Sequence, residues 1–534
     1  MSVKKTKKQR ETGEFYTPEI WVNQSHDLLA KQLGEDWKNK YTVWDCACGT
    51  KNLTEGHEFS DLYSSTISVE DIVETDRDFV YDFLNGTNQD LEEIAPGLVD
   101  AFRQDKPILF YINPPYAAAG KRGVANDKTG MAATRTQALM KAEDWGGCTK
   151  QLYAQFFHRI QDIKKTFNLS NVQIGVFAPT IYLSAPSFKK FRARFFKEFS
   201  VESGFVFNAS EFEMVNNDWG VAFIHLDGTI PNSKTSFPVS VKTRLGEEII
   251  DQDPIVLYNL DSQQSAAKWV REELRGLDKV DLPQFSSALS WRDNNKLGVN
   301  NMIACANFDS NNVYKNNTDV FMVSSTSTRN SNVPIIEENW DKVISLYAAR
   351  RSVSRTWLNW QDEYMAPNTS SPLWDQFVQD AIVFCMFDSK SNLSSVDVEY
   401  KGCTHDIRNA LFFMSPEDVL SSIKSKGLEQ IEKDLEGAKN PFFLDKLDES
   451  RLSSKAKSIL DFSRQTFFKS VETRKSDDDA YNSLRLHRWD AGYAQLKKSW
   501  KQFHPEDFKR LREMFIDFSD QMKSRAYELG FLRS

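Results

Sequence analysis

The segment Pro107-Ile-Leu-Phe-Tyr-Ile-Asn-Pro-Pro-Tyr116 decides the fold prediction for this chain. Its first part, from Pro107 to Ile112, is a short continuous apolar run of the kind that forms a strand buried in a parallel sheet. The run stops at Asn113-Pro114-Pro115-Tyr116, since proline cannot donate a hydrogen bond to a neighbouring strand. Open α/β sheets bind their ligands at the carboxyl ends of parallel strands, and this tetrapeptide is expected at such an end.

Helix and strand patterns alternate on both sides of this strand. A helix is predicted to start at Thr17-Pro18-Glu19, where threonine suits the N-cap and proline the first turn, and to end at Gly34. A second helix is predicted over 149–165, and the other predicted strands cover 41–44, 65–69, 172–177 and 219–226. Strands that alternate with helices predict an α/β fold with a doubly wound, mostly parallel sheet.

The charge of the chain is unevenly distributed. The 534 residues carry a formal net charge of −8, which argues against a protein whose whole surface binds nucleic acid. Residues 51–114 contain 4 basic and 14 acidic residues, whereas residues 117–200 contain 14 basic and 5 acidic residues. The sign changes at the NPPY tetrapeptide, so we expect a local, salt-sensitive contact with a polyanion directly after it.

Composition excludes several classes of protein. No apolar stretch approaches the ~18 residues of a transmembrane helix, and no apolar core follows the basic N-terminus as it would in a secretory signal. Six cysteines are too few for a disulfide scaffold. Cys46 and Cys48 lack a second pair at zinc-site spacing, so no metal site is expected. These features predict a protein without a membrane contact in a reducing cytoplasm.

The NPPY tetrapeptide is suited to binding an amino group. The side-chain oxygen of Asn113 and the carbonyl of Pro114 are two acceptors held on a stiff backbone, and they suit an exocyclic amino group with two hydrogens. Tyr116 adds an aromatic face for a planar base. The alternative interpretation is a proline turn after a buried strand.

A second pattern is typical of a nucleotide-cofactor site. Asp45-x-Ala47-x-Gly49 follows a predicted strand, and Glu70 lies 21 residues after Gly49, at the end of the next strand. An acidic side chain at this spacing suits the hydroxyls of a ribose. Lys51 stands where a G-x-G pair would have its second glycine, and the alternative is an ordinary strand–turn–helix corner.

Taken in order, four segments carry a resemblance to a known family: Phe15-Tyr16-Thr17-Pro18, Asp45-x-x-x-Gly49-Thr50, Asp82-Phe83-Leu84 and Asn113-Pro114-Pro115-Tyr116. Over about residues 11–228 the chain resembles the gamma-class N6-adenine DNA methyltransferases, and it is similar to type I and type IIG restriction-modification methylases. The resemblance implies S-adenosylmethionine as cofactor and the N6 amino group of a flipped-out adenine in double-stranded DNA as acceptor. It also implies a restriction-modification, phage or host-defence context, with partner subunits and oligomeric state left open.

The resemblance assigns roles to individual residues. Catalysis is expected from Asn113, Pro114, Pro115 and Tyr116. The expected cofactor contacts are Tyr16, Thr17, Pro18, Asp45, Ala47, Gly49, Glu70, Asp71, Asp82, Phe83 and Asn113. Tyr116 is expected to stack on one face of the target base and Phe212 on the other, with Phe207 and Trp219 as competitors for the second face.

The predicted organisation has four parts. A basic arm covers 1–14, and a Rossmann-like methyltransferase domain covers 15–228 with a loop insertion at 117–150. A mixed α+β target-recognition region is expected over 229–400 and a mainly helical region over 401–534. The expected DNA contacts are Lys121, Arg122 and Lys128 in the insertion, and Arg350, Arg351 and Arg355 further on. A solvated insertion and a solvated helix face are the alternatives.

Two other functions compete with DNA methylation. The glutamine methyltransferases of release factors also use an NPPY motif, because a glutamine amide presents the same planar NH₂ group. The segment Phe15–Pro18, the basic insertion and about 300 further residues argue against this protein-modifying function. A non-catalytic methylase-like scaffold that binds DNA is the third hypothesis; Lys51 favours it, whereas the intact NPPY motif argues against it.

Overall fold

The computed structural model describes residues 16–116, 133–212, 219–280, 284–285, 291–292, 298–323, 326–327, 331–391, 395–400, 403–407, 442–476 and 493–533. The chain forms two compact units. The first consists of the residues up to Ser262 together with Thr356–Gln361, and the second consists of Gln263–Arg355 and Asp362–Arg533.

The first unit is built around a mixed nine-stranded sheet. Its strands are β1 Thr42–Asp45, β2 Leu62–Thr66, β3 Asp78–Val80, β4 Ile108–Ile112, β5 Val172–Pro179, β6 Ser200–Asn208, β7 Gly220–Asp227, β8 Ser236–Leu245 and β9 Glu248–Tyr258. They lie in the order β3-β2-β1-β4-β5-β7-β6-β8-β9. The strands β1 to β5 are parallel to one another, and β7 pairs antiparallel with both β5 and β6.

Helices surround this sheet. They are α1 Glu19–Leu33, α2 Trp37–Lys40, α3 Asn88–Ile94, α4 Pro96–Arg103, α5 Arg135–Ala142, α6 Leu152–Phe167, α7 Ile181–Ser184 and α8 Lys189–Phe195. Local sequence sets several of their boundaries: Gly34 ends α1 with a φ of 100°, and Thr87 and Asp90 form a capping box at the start of α3.

Alternate residues of the central strands face two separate cores. Leu109 and Tyr111 of β4 pack in one core with Trp21 and Leu29 of α1. Ile108, Phe110 and Ile112 of the same strand pack in another core, with residues of α3, α4 and α6. A strand that is apolar on both faces needs cover on both sides, and these two cores confirm the predicted doubly wound arrangement.

The strand order creates a switch point between β1 and β4. From β1 the chain builds outward through β2 and β3 on one side, and then returns to place β4 and β5 on the other side. Because β1 and β4 are parallel neighbours, their carboxyl ends lie side by side. This is where the connections leave in opposite directions and where doubly wound sheets bind ligands.

The first unit differs from its predicted form in two places. The hairpin of β8 and β9 continues it to Tyr258, well past residue 228. Phe237, Val239 and Val241 of β8 are buried while their neighbours are exposed, so this hairpin adds its apolar face to the core of the first unit. Part of the predicted loop insertion is helical, because α5 begins at Arg135 with Thr134 as its cap.

The second unit combines small sheets with long helices. Its strands are β10 Lys279–Val280, β11 Gln284–Phe285, β12 Trp291–Arg292, β13 Gly298–Val299, β14 Ala304–Phe308, β15 Val320–Val323, β16 Thr326–Ser327, β17 Asn332–Ile335, β18 Ser395–Tyr400 and β19 Cys403–Ile407. Its helices are α9 Ala266–Trp269, α10 Asn316–Asp319, α11 Trp340–Ser352, α12 Trp374–Phe387, α13 Phe442–Asp445, α14 Ser454–Ser476, α15 Tyr493–Phe503 and α16 Pro505–Glu528. The helical C-terminal end confirms the prediction, since Leu511, Phe518 and Met522 are buried along one side of α16. Among the helices of the described residues, none combines the length and apolar character that a membrane span requires.

Candidate functional site

A cavity of about 330 Å³ lies at the carboxyl ends of β1, β2 and β4 in the first unit. It occupies the switch point of the sheet. Its lining comes from segments distant in sequence: Tyr16, Thr17, Asp45, Cys46, Ala47, Cys48, Gly49, Asn52, Leu53, Thr66, Ile67, Ser68, Asp71, Asp82, Phe83, Leu84, Asn85, Asn113, Pro115, Thr134, Leu152 and Phe156. The structure therefore brings most of the predicted cofactor residues together around one space.

The loop after β1 adopts a left-handed backbone at two positions. Gly49 has a φ of 49° and Lys51 has a φ of 64°. Lys51 therefore takes the conformation that a second glycine would take, and its ammonium lies 2.6 Å from the carboxylate of Asp78. The departure from G-x-G preserves the backbone path of the loop, although a left-handed residue with a Cβ is strained.

Replacing Lys51 with glycine is expected to give a more stable protein than replacing it with alanine, by about 1 kcal/mol. Both variants lose the ion pair with Asp78, so the difference between them reports the left-handed backbone alone. Denaturant unfolding of the two variants measures it. At Lys165, an exposed position of α6, the same pair of substitutions should give the opposite order, because alanine is favoured in a helix. Equal stabilities at position 51 would contradict the predicted strain.

Asp45 is a buried aspartate, and one of its two carboxylate oxygens makes no hydrogen bond with the described residues. Its side chain is fully enclosed, and its Oδ1 accepts the N–H of Ala47 at 3.2 Å. Its Oδ2 has no hydrogen-bond partner among the described residues. Burial raises the pKa of this carboxyl group to about 7, although the N–H of Ala47 and the charge of Lys51 act in the opposite direction. The wall of the cavity thus contains an acceptor that lacks a donor.

Two buried thiols complete this part of the wall. Cys46 and Cys48 both line the cavity, and burial raises the pKa of each thiol above its usual range. They are therefore neutral, weakly polar side chains near neutral pH. Within the part of the chain that the structure describes, no group of three or more histidine, cysteine, aspartate or glutamate residues is placed to hold a metal ion.

Asn113 bridges the two sides of the site. Its Nδ2 donates to the Oγ1 of Thr17 at 2.9 Å, and the hydroxyl of Tyr116 donates to its Oδ1 at 2.8 Å. Burial raises the pKa of the Tyr116 hydroxyl well above its usual range, so this group is a neutral donor. Asn113 therefore links the segment before α1 to the ring of Tyr116.

The threonine of the N-terminal segment has a different role from the one predicted. The structure places Pro18 at the N-cap of α1 and gives the helix no side-chain cap, so Thr17 is not the capping residue. Its hydroxyl is used by Asn113 instead. Pro18 itself is absent from the lining of the cavity, unlike Tyr16 and Thr17.

The structure shows which of the acidic residues after β2 and β3 line the cavity. Asp71 lines the cavity, whereas Glu70 is exposed and does not. Asp82 lines the cavity too, and its carboxylate accepts the backbone N–H groups of Leu84 and Asn85 at 3.1 and 3.0 Å. Of the predicted alternatives for a ribose contact, Asp71 is therefore the residue that faces the cavity.

Several lining residues were not predicted. One of these is Phe156 of α6, which stacks on the predicted residue Phe83 with ring centroids 5.0 Å apart. Thr134 donates to the side-chain oxygen of Gln155 at 2.6 Å, which ties the start of α5 to α6. The helical pattern of α6 predicted Phe156 to be buried, but neither the pattern nor a motif indicated which core residues would reach the cavity.

The aromatic residues near the NPPY motif correct the choice of Phe212. Phe212 is only 1% exposed and packs on Phe207 at 5.6 Å, so neither ring offers a face to a planar base. Trp219 is partly exposed and lies edge-on to Tyr116, with ring centroids 5.8 Å apart. Trp360, from the segment Thr356–Gln361, lies 6.2 Å from Trp219.

The structure also corrects part of the predicted DNA contact. Arg350 is 1% exposed and donates to the backbone carbonyls of residues 309, 310 and 312, so it cannot reach a phosphate. Burial lowers the pKa of this guanidinium to about 10. Arg351 forms a two-pronged ion pair with Asp388 at 3.0 and 3.1 Å. Arg355 is exposed beside the ring of Tyr314, and its DNA contact stays a prediction. Lys121, Arg122 and Lys128 lie outside the described residues.

Comparisons with known proteins add little. No family model and no curated protein matches the chain. Among solved structures, the chain is similar to a DrdV–DNA complex at 16% identity, over 44% of this chain and 28% of that chain, with a TM-score of 0.33. It is similar to a modification subunit of a putative type I restriction enzyme from Vibrio vulnificus at 13% identity, over 44% and 48% of the two chains, with a TM-score of 0.29. A third is the ATP-dependent Type ISP restriction-modification enzyme LlaBIII bound to DNA, at 10% identity, over 96% and 46%, with a TM-score of 0.38. Each match covers less than half of the solved chain, and similarities at this level carry no argument about function.

Proposed function

We propose that this chain is an S-adenosylmethionine-dependent DNA methyltransferase that modifies the N6 amino group of adenine in a flipped-out base. One observation carries the proposal: Asn113 of the NPPY motif lines the same cavity as the loop after β1. A base-binding motif and a nucleotide-binding loop at one switch point support transfer between a cofactor and a base.

The lining fits the groups of S-adenosylmethionine. The unpartnered Oδ2 of Asp45 would accept a hydrogen bond from the ammonium group at the methionine end of the cofactor. The hydroxyl-bearing residue Thr17, which lies just before α1, also lines the cavity. Asp71 would take the ribose hydroxyls, and Phe83 would pack against the adenine moiety. The cofactor supplies an electrophilic methyl group on a sulfonium centre when bound.

Asn113 and Pro114 would act by positioning. The amino nitrogen of adenine is a poor nucleophile because its lone pair is delocalised into the ring. The Oδ1 of Asn113 and the carbonyl of Pro114 would hold the two amino hydrogens, favour a more tetrahedral nitrogen and aim its lone pair. The contribution is one of orientation and electrostatics, without a covalent enzyme intermediate.

A base inside a duplex cannot reach this site, so the target must leave the stack. Tyr116 keeps its proposed place on one face of the base. In place of Phe212 we assign Trp219 to the second face, because it is the partly exposed ring beside Tyr116. Trp360 also lies beside the Trp219 ring, with ring centroids 6.2 Å apart.

Replacing Trp219 with alanine is expected to lower kcat/KM for DNA by about 5- to 100-fold, since stacking of one base on one aromatic ring has this value. The Trp219→Phe variant should retain most of the activity. Steady-state rates at saturating cofactor measure both. Phe212→Leu is the control, because a core substitution should lower the melting temperature and leave kcat/KM per folded molecule nearly unchanged. Parental kinetics in the Trp219→Ala variant would exclude this residue as a stacking face.

The rest of the chain is proposed to recognise double-stranded DNA. The regions 229–400 and 401–534 would contact the target, with Lys121, Arg122, Lys128 and Arg355 on phosphates. Partner subunits of a restriction or defence system and a cytoplasmic location belong to the same proposal.

Modification-sensitive sequencing of DNA from cells that express the chain tests the function. We expect N6-methyladenine in cells with the parental chain and its absence in cells with the Asn113→Ala variant. Incubation of the pure protein with labelled cofactor, and with either DNA or a cell protein extract, separates the alternatives. Label only in protein would favour the glutamine methyltransferase, and the absence of binding heat with S-adenosylmethionine would favour the non-catalytic scaffold.

A further inference from the structure

We infer that the exposed surface formed by residues 67–76 binds the basic N-terminal segment of the same chain, residues 1–15. The occupant is thus a part of this protein that lies outside the described residues. The inference goes beyond the proposed function, because the contact forms within one chain and requires neither cofactor nor DNA.

The surface of residues 67–76 carries exposed apolar side chains. Val69 lies in the short 3₁₀ helix Val69–Asp71 that follows β2, and it is 70% exposed. Val73 is 83% exposed and Ile67 is 57% exposed. Val73 and Val69 have the largest exposed fractions among the large apolar side chains that the structure describes. Three such side chains within seven residues form an apolar patch, and a patch of this kind indicates an interaction site, whereas scattered single side chains do not.

The same surface is acidic. Residues 67–76 contain no lysine or arginine and four carboxylates, which belong to Glu70, Asp71, Glu74 and Asp76. None of these four carboxylates forms an ion pair within the part of the chain that the structure describes. The nearest basic residues on either side in the sequence are used elsewhere, since Lys51 pairs with Asp78 and Arg77 pairs with Asp61. The surface therefore fits a partner that has positive charge and apolar side chains.

The N-terminal segment has the complementary composition. Its first ten residues contain five basic residues and no acidic residue, and Val3 and Phe15 are apolar. Glu11 and Glu14 are its acidic residues, so the side chains of the segment carry a formal charge of +3. Opposite charges on two exposed surfaces attract each other within about 10 Å at 0.1 M salt. We therefore expect the contact to weaken as the salt concentration rises.

The segment joins the described chain beside this surface. Tyr16, the residue that follows it, lines the cavity, and its ring would lie 3.4 Å from a Cβ at Gly49. Ile67 and Asp71 line the same cavity. Fifteen residues can span up to about 50 Å, so the segment can reach all of residues 67–76. A tethered segment also has an effective concentration on the order of 1 mM, which favours it over a second copy or another protein.

Photo-crosslinking from position 73 tests the contact. A full-length chain with the substitution Val73→p-benzoylphenylalanine is irradiated without any ligand, and the crosslinked peptides are identified by mass spectrometry. We expect most of them to join position 73 to residues 1–15, with a yield that falls about fivefold between 50 mM and 500 mM salt. Leu245, which is 67% exposed in the same unit, is the control position and should give no crosslinks to this segment. A mixture of isotopically labelled and unlabelled chains shows whether both peptides come from one chain.

A charge exchange tests the complementarity. Glu70→Lys combined with Glu74→Lys should lower the crosslinking yield about tenfold, because two attractions become repulsions. Lys4→Glu combined with Lys5→Glu should lower the yield by a similar factor. A chain that carries all four substitutions should recover most of the parental yield. A variant that fails to fold cannot give this recovery, so the exchange separates a lost contact from a lost fold.

A second pair of acidic residues supplies the matched control. Glu248→Lys combined with Asp253→Lys reverses two exposed carboxylates of β9 and should keep the parental yield. Crosslinks between labelled and unlabelled chains would overturn the inference in favour of a contact between two copies. Crosslinks that avoid residues 1–15, or a yield that neither charge reversal changes, would also overturn it. Because this readout does not depend on methyl transfer, the contact can fail while the proposed function holds, and the reverse.

Discussion

The Asn113→Ala variant is expected to transfer methyl groups to DNA about 100- to 1000-fold more slowly than the parental chain, as when one preorganised polar group is removed from an active site. The variant lacks the Oδ1 that would accept an amino hydrogen of the target. It also leaves the Tyr116 hydroxyl without its acceptor at 2.8 Å, which loosens one stacking face. Most of the cavity lining is unaffected, so the affinity for S-adenosylmethionine should change by only a few-fold.

Initial rates with labelled cofactor measure the loss of methyl transfer. Calorimetric titration measures the affinity for the cofactor. Asn232→Ala is a suitable control, since Asn232 is a half-buried asparagine of the same unit that donates to the Lys234 carbonyl at 2.9 Å and does not line the cavity. It should behave as the parental chain does. A parental rate in Asn113→Ala would reject the mechanism, and an equal loss of rate and cofactor affinity would make Asn113 a cofactor residue only.

The Asp45→Asn variant is expected to bind the cofactor about 10- to 100-fold more weakly, because a charged acceptor for the ammonium is lost. Without cofactor, the same variant should be more stable than the parental chain at neutral and higher pH. The pKa of Asp45 is about 7 in the folded protein, above the value near 3.9 of an unfolded aspartate. Between these two values the folded state binds the extra proton, so the stability of the parental chain falls as the pH rises through this window.

Denaturant unfolding of the cofactor-free proteins at pH 5 and pH 8 measures this effect. At ~1.4 kcal/mol per pKa unit, the advantage of Asp45→Asn should grow by up to about 3 kcal/mol between the two pH values. Saturating cofactor should reduce the advantage of Asp45→Asn at pH 8 by about 1.4 to 2.7 kcal/mol, the free energy of a 10- to 100-fold difference in affinity. Asp251→Asn, at an exposed aspartate paired with Lys242, is the control, because an exposed ion pair contributes little to stability. A constant difference between parental chain and Asp45→Asn would contradict the raised pKa.

Sequence spacing predicted several of the residues that line the cavity. Asp45 ends β1, Gly49 lies in the loop after it, and Asn113 follows β4 directly, and a strand end is a place that a short local pattern determines. The ends of two strands are neighbours only if the strands are neighbours in the sheet and run in the same direction. The alternation of helices and strands already predicts that the sheet is parallel. The cavity at the switch point follows from these two facts.

The burial of individual side chains was harder to predict than the position of their residues relative to the strands. Phe212 and Trp219 are both aromatic residues in the approach to β7, and only the packing of Phe212 on Phe207 separates the enclosed ring from the partly exposed one. Arg350 occupies a helical position typical of a solvated cation, yet it is enclosed because distant carbonyls accept its hydrogens. Long-range packing decides such cases, and a local pattern does not contain it.

The contribution of Thr356–Gln361 to the first unit bears on how the protein is synthesised. Trp357 and Leu358 pack against the core of that unit, and the carbonyl of Trp357 approaches Gly220 so closely that a Cβ there would lie 3.3 Å away. The stretch Gln263–Arg355 must be synthesised before these residues exist, which takes roughly 5 to 20 s at ordinary elongation rates. During that time the nascent first unit keeps an uncovered apolar gap, so its native state cannot form domain by domain in chain order. The completion of the first unit is therefore a late event of translation.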